Sequence, residues 1–364
     1  MNFYEKELAA LKRSGRYRER QIYDSDIIDL ASNDYLGLSE NLELIKQAYK
    51  TLKKSPCYSS KASMLVNGYH PIHADFEEAL CEANGFESGV ILGSGFSANI
   101  AMIEALVRKG DELFLDEKYH ASGVLASKMV DGKVSFFAHN DADDLRNKMK
   151  NSHAKRKLIA VEGIYSMDGD KLSREIIEIA DEYSALLIVD EAHSSGVIGK
   201  KLMGIFDAYD IAIKPNYIKM GTLGKAYGSF GAYILASEHI VDYLINRAKP
   251  IIYATAPSLF DTLLGHYALK YILENSSSLK KKIISRQEII KKELGLEIDG
   301  LIAPVVINDN RRVIEIRDAL LRERILVGAI RQPTVDKAII RLIARIGISK
   351  DALQDAIEII KDHI

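Results

Sequence analysis

Three side chains in the middle of the chain stand in an order that suits one kind of chemistry. Asp190 ends an apolar run, ALLIVD, and His193 follows just beyond it in VDEAHSSGVIG. Lys225 comes later, in a turn of small residues, MGTLGKAYGSFGAY. An acid at the carboxyl end of an internal strand stands where open α/β sheets bind ligands. Such an acid can pair with the protonated ring nitrogen of pyridoxal phosphate and keep the ring able to accept electrons. A histidine next to it can hydrogen-bond the ring hydroxyl. A lysine with small neighbours can form a Schiff base and later act as general base. Gly93-Ser94-Gly95-Phe96, ahead of a helical pattern, reads as a strand–turn–helix junction whose N–H groups bind phosphate. Each signal is common alone; in this order on one sheet they make a set.

Asp190-Glu191-Ala192-His193 also spells the DEAH of certain helicases. A helicase needs an earlier phosphate loop, G-x-x-x-x-G-K-[S/T]. The nearest segment has Lys219 at the first glycine position and Ala226 at the hydroxyl position, and it follows the DEAH. Nucleotide hydrolysis is set aside.

The elements that must position these residues are legible in the hydrophobic pattern. GVILG (89–93), ELFLD (112–116), VSFFAH (134–139), KLIAVEG (157–163), ALLIVDE (185–191), NYIKMG (216–221) and GAYILAS (231–237) read as buried strands. Helical patterns lie between them, so a mostly parallel sheet covered on both faces is expected. After Ala236 a long helical stretch spans 258–295, followed by short strands in APVVI, ILVGAI and AIIRLIA and a last helix in SKDALQDAIEIIKDHI. Three parts are expected: residues 1–45 packing back on a small C-terminal α+β domain, a large α/β domain over 46–245, and the small domain over 246–364.

Composition narrows the class. Of 364 residues, 47% are apolar and 27% charged, the balance of a globular protein. Lys plus Arg total 49 against 51 Asp plus Glu, which leaves no footprint for nucleic acid or an anionic membrane. Two cysteines, Cys57 and Cys81, make no disulfide framework or thiolate metal cage. The charged, helix-patterned MNFYEKELAALKRSGRYRER is no leader, and no apolar run approaches the ~18 residues of a membrane span, so a cytoplasmic enzyme is expected.

The chain resembles the α-oxoamine synthase family of pyridoxal-phosphate enzymes from about residue 5 to 360. The likeness rests on ASNDYLGLS (31–39), GYHPIHADFEEAL (68–80), ILGSGFSAN (91–99), DEKYHASG (116–123), FFAHND (136–141), EGIYSMDGD (162–170), LIVDEAHSSGVIG (187–199), GTLGKAYGSFGA (221–232) and IRQPTV (330–335). The resemblance implies the pyridoxal-phosphate-dependent transferase fold (fold type I), with a seven-stranded mostly parallel sheet in the large domain. SNDYLGLS, FFAHND and IRQPTV are most similar to the branch that condenses L-alanine with a pimeloyl thioester, carried by coenzyme A or acyl carrier protein, in biotin biosynthesis. Glycine-using relatives, such as glycine C-acetyltransferase, are the alternative. Aminotransferases compete less well, and a protein that binds without turnover would have no use for Lys225.

By the same resemblance, Lys225 forms the Schiff base, Asp190 partners the ring nitrogen, and His193 and Ser166 contact the ring hydroxyl. His120 stacks over the ring, and Gly95, Phe96 and Thr222 hold the phosphate. Thr255 reaches the phosphate of a neighbouring subunit, which implies a homodimer. Asn33, Thr334 and Arg18 face the substrate. Read without the family, His120 could equally cap a helix and Ser166 could be a turn residue. His139-Asn140-Asp141 reads as a helix N-cap, and His70 with His73 lacks the partners of a metal site, so no metal is expected.

Two departures stand out. The family's glycine-rich G-S-G-G-S-R segment is here PCYSSKASML (56–65), which alters the expected entrance to the site. The arginine that grips the amino-acid carboxylate belongs in DKAIIRLIARIGIS, where ungapped alignment puts Ile343 at its place. A two-residue deletion brings Arg341 into register and also aligns Ser349. Arg341 is the expected clamp, because a buried carboxylate without a cation is costly.

Overall fold

The computed structural model describes residues 2–14, 16–332 and 334–364. Its strands, in chain order, are β1 (Ile28–Asp29), β2 (Ser88–Leu92), β3 (Glu112–Asp116), β4 (Lys133–Phe137), β5 (Lys157–Glu162) and β6 (Leu186–Asp190). They continue with β7 (Tyr217–Thr222), β8 (Ala232–Ala236), β9 (Ile302–Val306), β10 (Ile325–Leu326), β11 (Gly328–Ile330) and β12 (Ile339–Ile343). Each of the seven expected strands of the large sheet forms, within two residues at either end.

These seven strands make one sheet in the order β2-β8-β7-β6-β5-β3-β4. All neighbours from β7 to β4 are parallel, and β8 runs antiparallel to both β7 and β2. Alternate side chains of a strand serve opposite faces. Ile159, Val161, Leu187 and Val189 enter one core, while Leu158, Ala160, Ile188 and Ile218 enter the other. Burial on both faces is why these segments read as unbroken apolar runs rather than alternating ones. The parallel strands end together, and this places Glu162 and Asp190 side by side in register.

The C-terminal strands form a second, antiparallel sheet, β11-β12-β9. ILVGAI is not one strand: Ile325–Leu326 pairs parallel with β1, and Gly328–Ile330 pairs antiparallel with β12. The chain changes partners at Val327 because the N-terminal segment occupies one edge and β12 the other. Backbone bonds fasten that segment further: Ile343 N–H donates to Leu30 C=O at 2.9 Å and Ile346 N–H to Tyr35 C=O at 2.9 Å. The loop bearing Asn33, Asp34 and Tyr35 is therefore held against β12. The long helix Leu259–Leu294 starts at Ser258, whose hydroxyl accepts the Asp261 N–H, and ends at Gly295 with φ +67°.

His70 and His73 both cap the helix Pro71–Asn84, each ring accepting a backbone N–H. Asp141 caps Ala142–Lys150 as expected, but His139 and Asn140 do something else. His139 lies between Asp116 (3.1 Å) and Asp170 (3.3 Å), and Asn140 donates to Asp170 and to the Lys171 carbonyl. They clamp the loop that follows β5. No helix among the described residues is long and apolar enough to cross a membrane.

Candidate active site

A cavity of about 240 Å³ opens at the carboxyl ends of β5, β6 and β7 and is lined by Gly95, Phe96, His120, Asp190, His193, Thr222 and Lys225, among others. Seven residues singled out in the sequence thus meet in one place. A larger cleft of about 850 Å³ runs along the edge strand β2, walled by Met64, Cys81 and Val90, and none of the expected site residues lines it.

Asp190 ends β6 and is 4% exposed. Its Oδ2 accepts from Asn99 Nδ2 at 2.8 Å and its Oδ1 from the Ala192 N–H at 3.0 Å. Lys225 lies in the turn after β7, with Nζ 2.8 Å from His193 Nε2. Desolvation lowers the Lys225 pKa to about 8, against the pull of Asp190 and Glu162 and helped by Arg341. The other face of His193 meets Tyr35, whose hydroxyl is 2.5 Å from Nδ1. Desolvation, with Lys225 and Arg341 nearby, holds the His193 pKa well below its usual value, so the ring is neutral. Tyr35 stands inside SNDYLGL, and nothing local in the sequence marks a tyrosine that will meet His193.

His120 caps the helix Ala121–Ser127, its Nδ1 accepting the Ser122 N–H, and its ring also borders the cavity. The capping reading of His120 is met, and the same ring faces the cavity. Arg341, 7% exposed on β12, donates from Nε to the Ser166 carbonyl at 2.7 Å and from Nη1 to Asn33 Oδ1 at 3.0 Å. Among the described residues it pairs with no carboxylate. Arg345 differs sharply: its guanidinium lies against Asp29, Asp34 and Glu40. Ser166 meets Arg341 through its backbone carbonyl, and its N–H donates to Glu162 Oε2 at 3.1 Å. Its hydroxyl is not on the cavity wall.

Ser94 caps the helix Gly95–Leu106. A Cβ on Gly95 would sit 2.5 Å from Thr222 Cγ2, so only glycine lets the helix start approach β7. Phe96 stands half exposed at the rim. Three expected residues lie off this cavity and on the surface. Thr255 bridges Ser63, Thr334 N–H donates to the Arg331 carbonyl, and Arg18 lies in an irregular segment.

The family model for class I and II aminotransferases matches residues 25–360. The chain belongs to the class I and II aminotransferase family. Within that family its relatives are α-oxoamine synthases, as the motifs implied. It is 42% identical to the 8-amino-7-oxononanoate synthase of Helicobacter pylori strain J99 over 98% of this chain and 95% of that one. Among solved structures, 8-amino-7-oxononanoate synthase from Francisella tularensis matches with TM-score 0.77 and 28% identity, covering 93% of this chain and 98% of that one. A serine palmitoyltransferase from S. paucimobilis with bound PLP-myriocin matches with TM-score 0.89 at 21% identity, covering 99% and 96%. That last likeness speaks for the fold, which is the pyridoxal-phosphate-dependent transferase fold.

The cofactor of this family member is pyridoxal 5′-phosphate, and the residues present fit it. Thr222 Oγ1 is buried with no hydrogen-bond partner among the described residues, beside the helix start at Gly95. An orphaned hydroxyl next to free helix N–H groups suits a phosphate. Asp190, at the far end, suits a protonated ring nitrogen.

Proposed function

We propose that the protein condenses L-alanine with a pimeloyl thioester, giving 8-amino-7-oxononanoate, carbon dioxide and the free carrier thiol. Arg341 carries this conclusion: a buried guanidinium that pairs with no carboxylate among the described residues, and whose charge reaches Lys225, is a place for an amino-acid carboxylate. The names of the relatives supply the acyl chain. Bound pyridoxal phosphate supplies an electron sink for the carbanion at the alanine Cα.

This chain's residues do the rest. Arg341 and Asn33 orient the carboxylate. Lys225, freed as an amine, takes the Cα proton. A bond then forms from Cα to the thioester carbonyl carbon as the C–S bond breaks, and the departing thiolate takes a proton from solvent, which leaves the Cα proton on Lys225. The Cα–carboxylate bond breaks to release carbon dioxide, and Lys225 returns a proton to Cα. Asp190 holds a proton at the ring nitrogen, His193 fixes the ring hydroxyl side and His120 covers the face.

The same reading includes a homodimer in which Thr255 reaches the partner's phosphate. The exposed position of Thr255, away from its own cavity, supports it. Mass identification of the products from L-alanine, glycine or L-serine with pimeloyl, acetyl or succinyl thioesters tests the activity. Only L-alanine with the pimeloyl thioester should turn over efficiently. A preference for glycine with acetyl-coenzyme A, yielding 2-amino-3-oxobutyrate, would overturn it. Sedimentation of the holoenzyme tests the dimer.

A further inference from the structure

Glu162 ends β5 directly beside Asp190 at the end of β6, and the two are register partners in the parallel pair. Both line the cavity, and they are 2% and 4% exposed. Their surroundings differ. Asp190 receives two hydrogen bonds, from Asn99 and from the Ala192 N–H. Glu162 receives one, at Oε2, from the Ser166 N–H. Its Oε1 is buried with no hydrogen-bond partner among the described residues.

Two neighbouring carboxylates in a low-dielectric site do not both ionise cheaply, and the proton goes to the one with fewer donors. An ionised Glu162 would also leave a charged oxygen unpaired, at the full desolvation cost. We propose that Glu162 is a neutral carboxylic acid whose Oε1–H donates to an acceptor oxygen of the molecule bound in the cavity. Oε2 then remains the carbonyl that the Ser166 N–H requires. The groups facing it agree in balance. Desolvation comes first and Asp190 and Asp116 add to it, while Lys225 opposes; the Glu162 pKa stands well above its ordinary value. A carboxyl kept neutral by its site supplies a donor without adding an anion to the cavity. It therefore stabilises an oxygen that carries negative charge, on either the cofactor or the amino acid.

The role of Glu162 rests on the cofactor and substrate reading above, but its protonation does not. Infrared difference spectra of the apoprotein, wild type minus Glu162→Gln, should show the C=O stretch of a protonated carboxyl near neutral pH. Carboxylate bands in its place would overturn the proposal. Two binding arms locate the acceptor: pyridoxal phosphate with the apoprotein, and L-alanine with the loaded protein. Glu162→Gln keeps an N–H donor and should bind within about threefold of wild type in both, whereas Glu162→Leu should lose roughly tenfold in one. Loss in the first arm assigns a cofactor oxygen, and loss in the second assigns the substrate carboxylate. Loss in neither overturns the donor role. Glu162→Met replaces the leucine variant if circular dichroism shows that one unfolded. Failure of wild type to bind pyridoxal phosphate would sink the cofactor reading and leave the infrared result standing.

Discussion

Arg341 and Asn33, 308 residues apart, are joined by a hydrogen bond of 3.0 Å from Nη1 to Oδ1. The contact exists because the N-terminal segment is bonded along β10 and β12, so its loop delivers Asn33 to the strand that carries the arginine. Arg341 is thereby held between the N-terminal loop and the Ser166 carbonyl.

Arg341→Ala should weaken L-alanine binding by about 1.5–3 kcal/mol, the range for a hydrogen bond to a charged group. Arg341→Lys should recover only part, since an ammonium lacks the planar two-pronged contact. Arg345→Ala should behave differently. It takes from buried Asp34 its 2.9 Å cation, leaving it with the Leu38 N–H and the Ser39 hydroxyl, and should cost about 3 kcal/mol of stability while leaving the affinity of the folded fraction nearly unchanged. Titration of L-alanine against the absorbance of the loaded enzyme, together with denaturant unfolding of both variants, separates the two arginines.

Lys225 attacks only as the free amine. With its pKa lowered to about 8, the reactive fraction grows as pH rises through that value and levels above it. Capture of pyridoxal phosphate by the apoprotein should follow that curve. A rate still climbing steeply towards the ordinary lysine range would show that the site does not lower the pKa. Lys225→Ala should fold, by circular dichroism, and make no product.

Thr222→Val removes a hydroxyl whose oxygen is buried and unpartnered. The apoprotein should be no less stable, because an isosteric methyl replaces an unsatisfied polar group. Affinity for pyridoxal phosphate should fall by about 1.5–3 kcal/mol if that hydroxyl meets the phosphate. Thermal unfolding with and without the cofactor reads both halves.

His139 carries a pH-dependent part of the stability. Burial opposes its charge, but hydrogen bonds to Asp116 and Asp170 outweigh it and push its pKa up to about 9 from 6.5. A raised pKa stabilises the folded state fully below about 6.5 and is lost as pH rises through about 9. The contribution is about 2 kcal/mol after allowance for solvent screening. Wild type should therefore lose more stability than His139→Gln between these limits. Equal pH slopes in urea unfolding would show the clamp to be uncharged.

The sequence by itself determined the sheet and the three residues at its centre. Burial on both faces writes a strand as a local apolar run, and Asp190, an acid on the cavity wall, is legible because it ends one. Lys225 and His193 follow from their order along that same pattern. Tertiary structure alone decided the pairings that no local pattern records. The 2.5 Å contact of Tyr35 with His193 spans 158 residues, and Asn99 reaches Asp190 from the helix Gly95–Leu106. The pairing of Arg345 with three carboxylates, and of Arg341 with none among the described residues, follows from which segments reach them, and the orphaned oxygen of Glu162 follows from which donors fail to reach it. Such facts depend on where distant segments cross, and periodicity reports only which way a side chain faces.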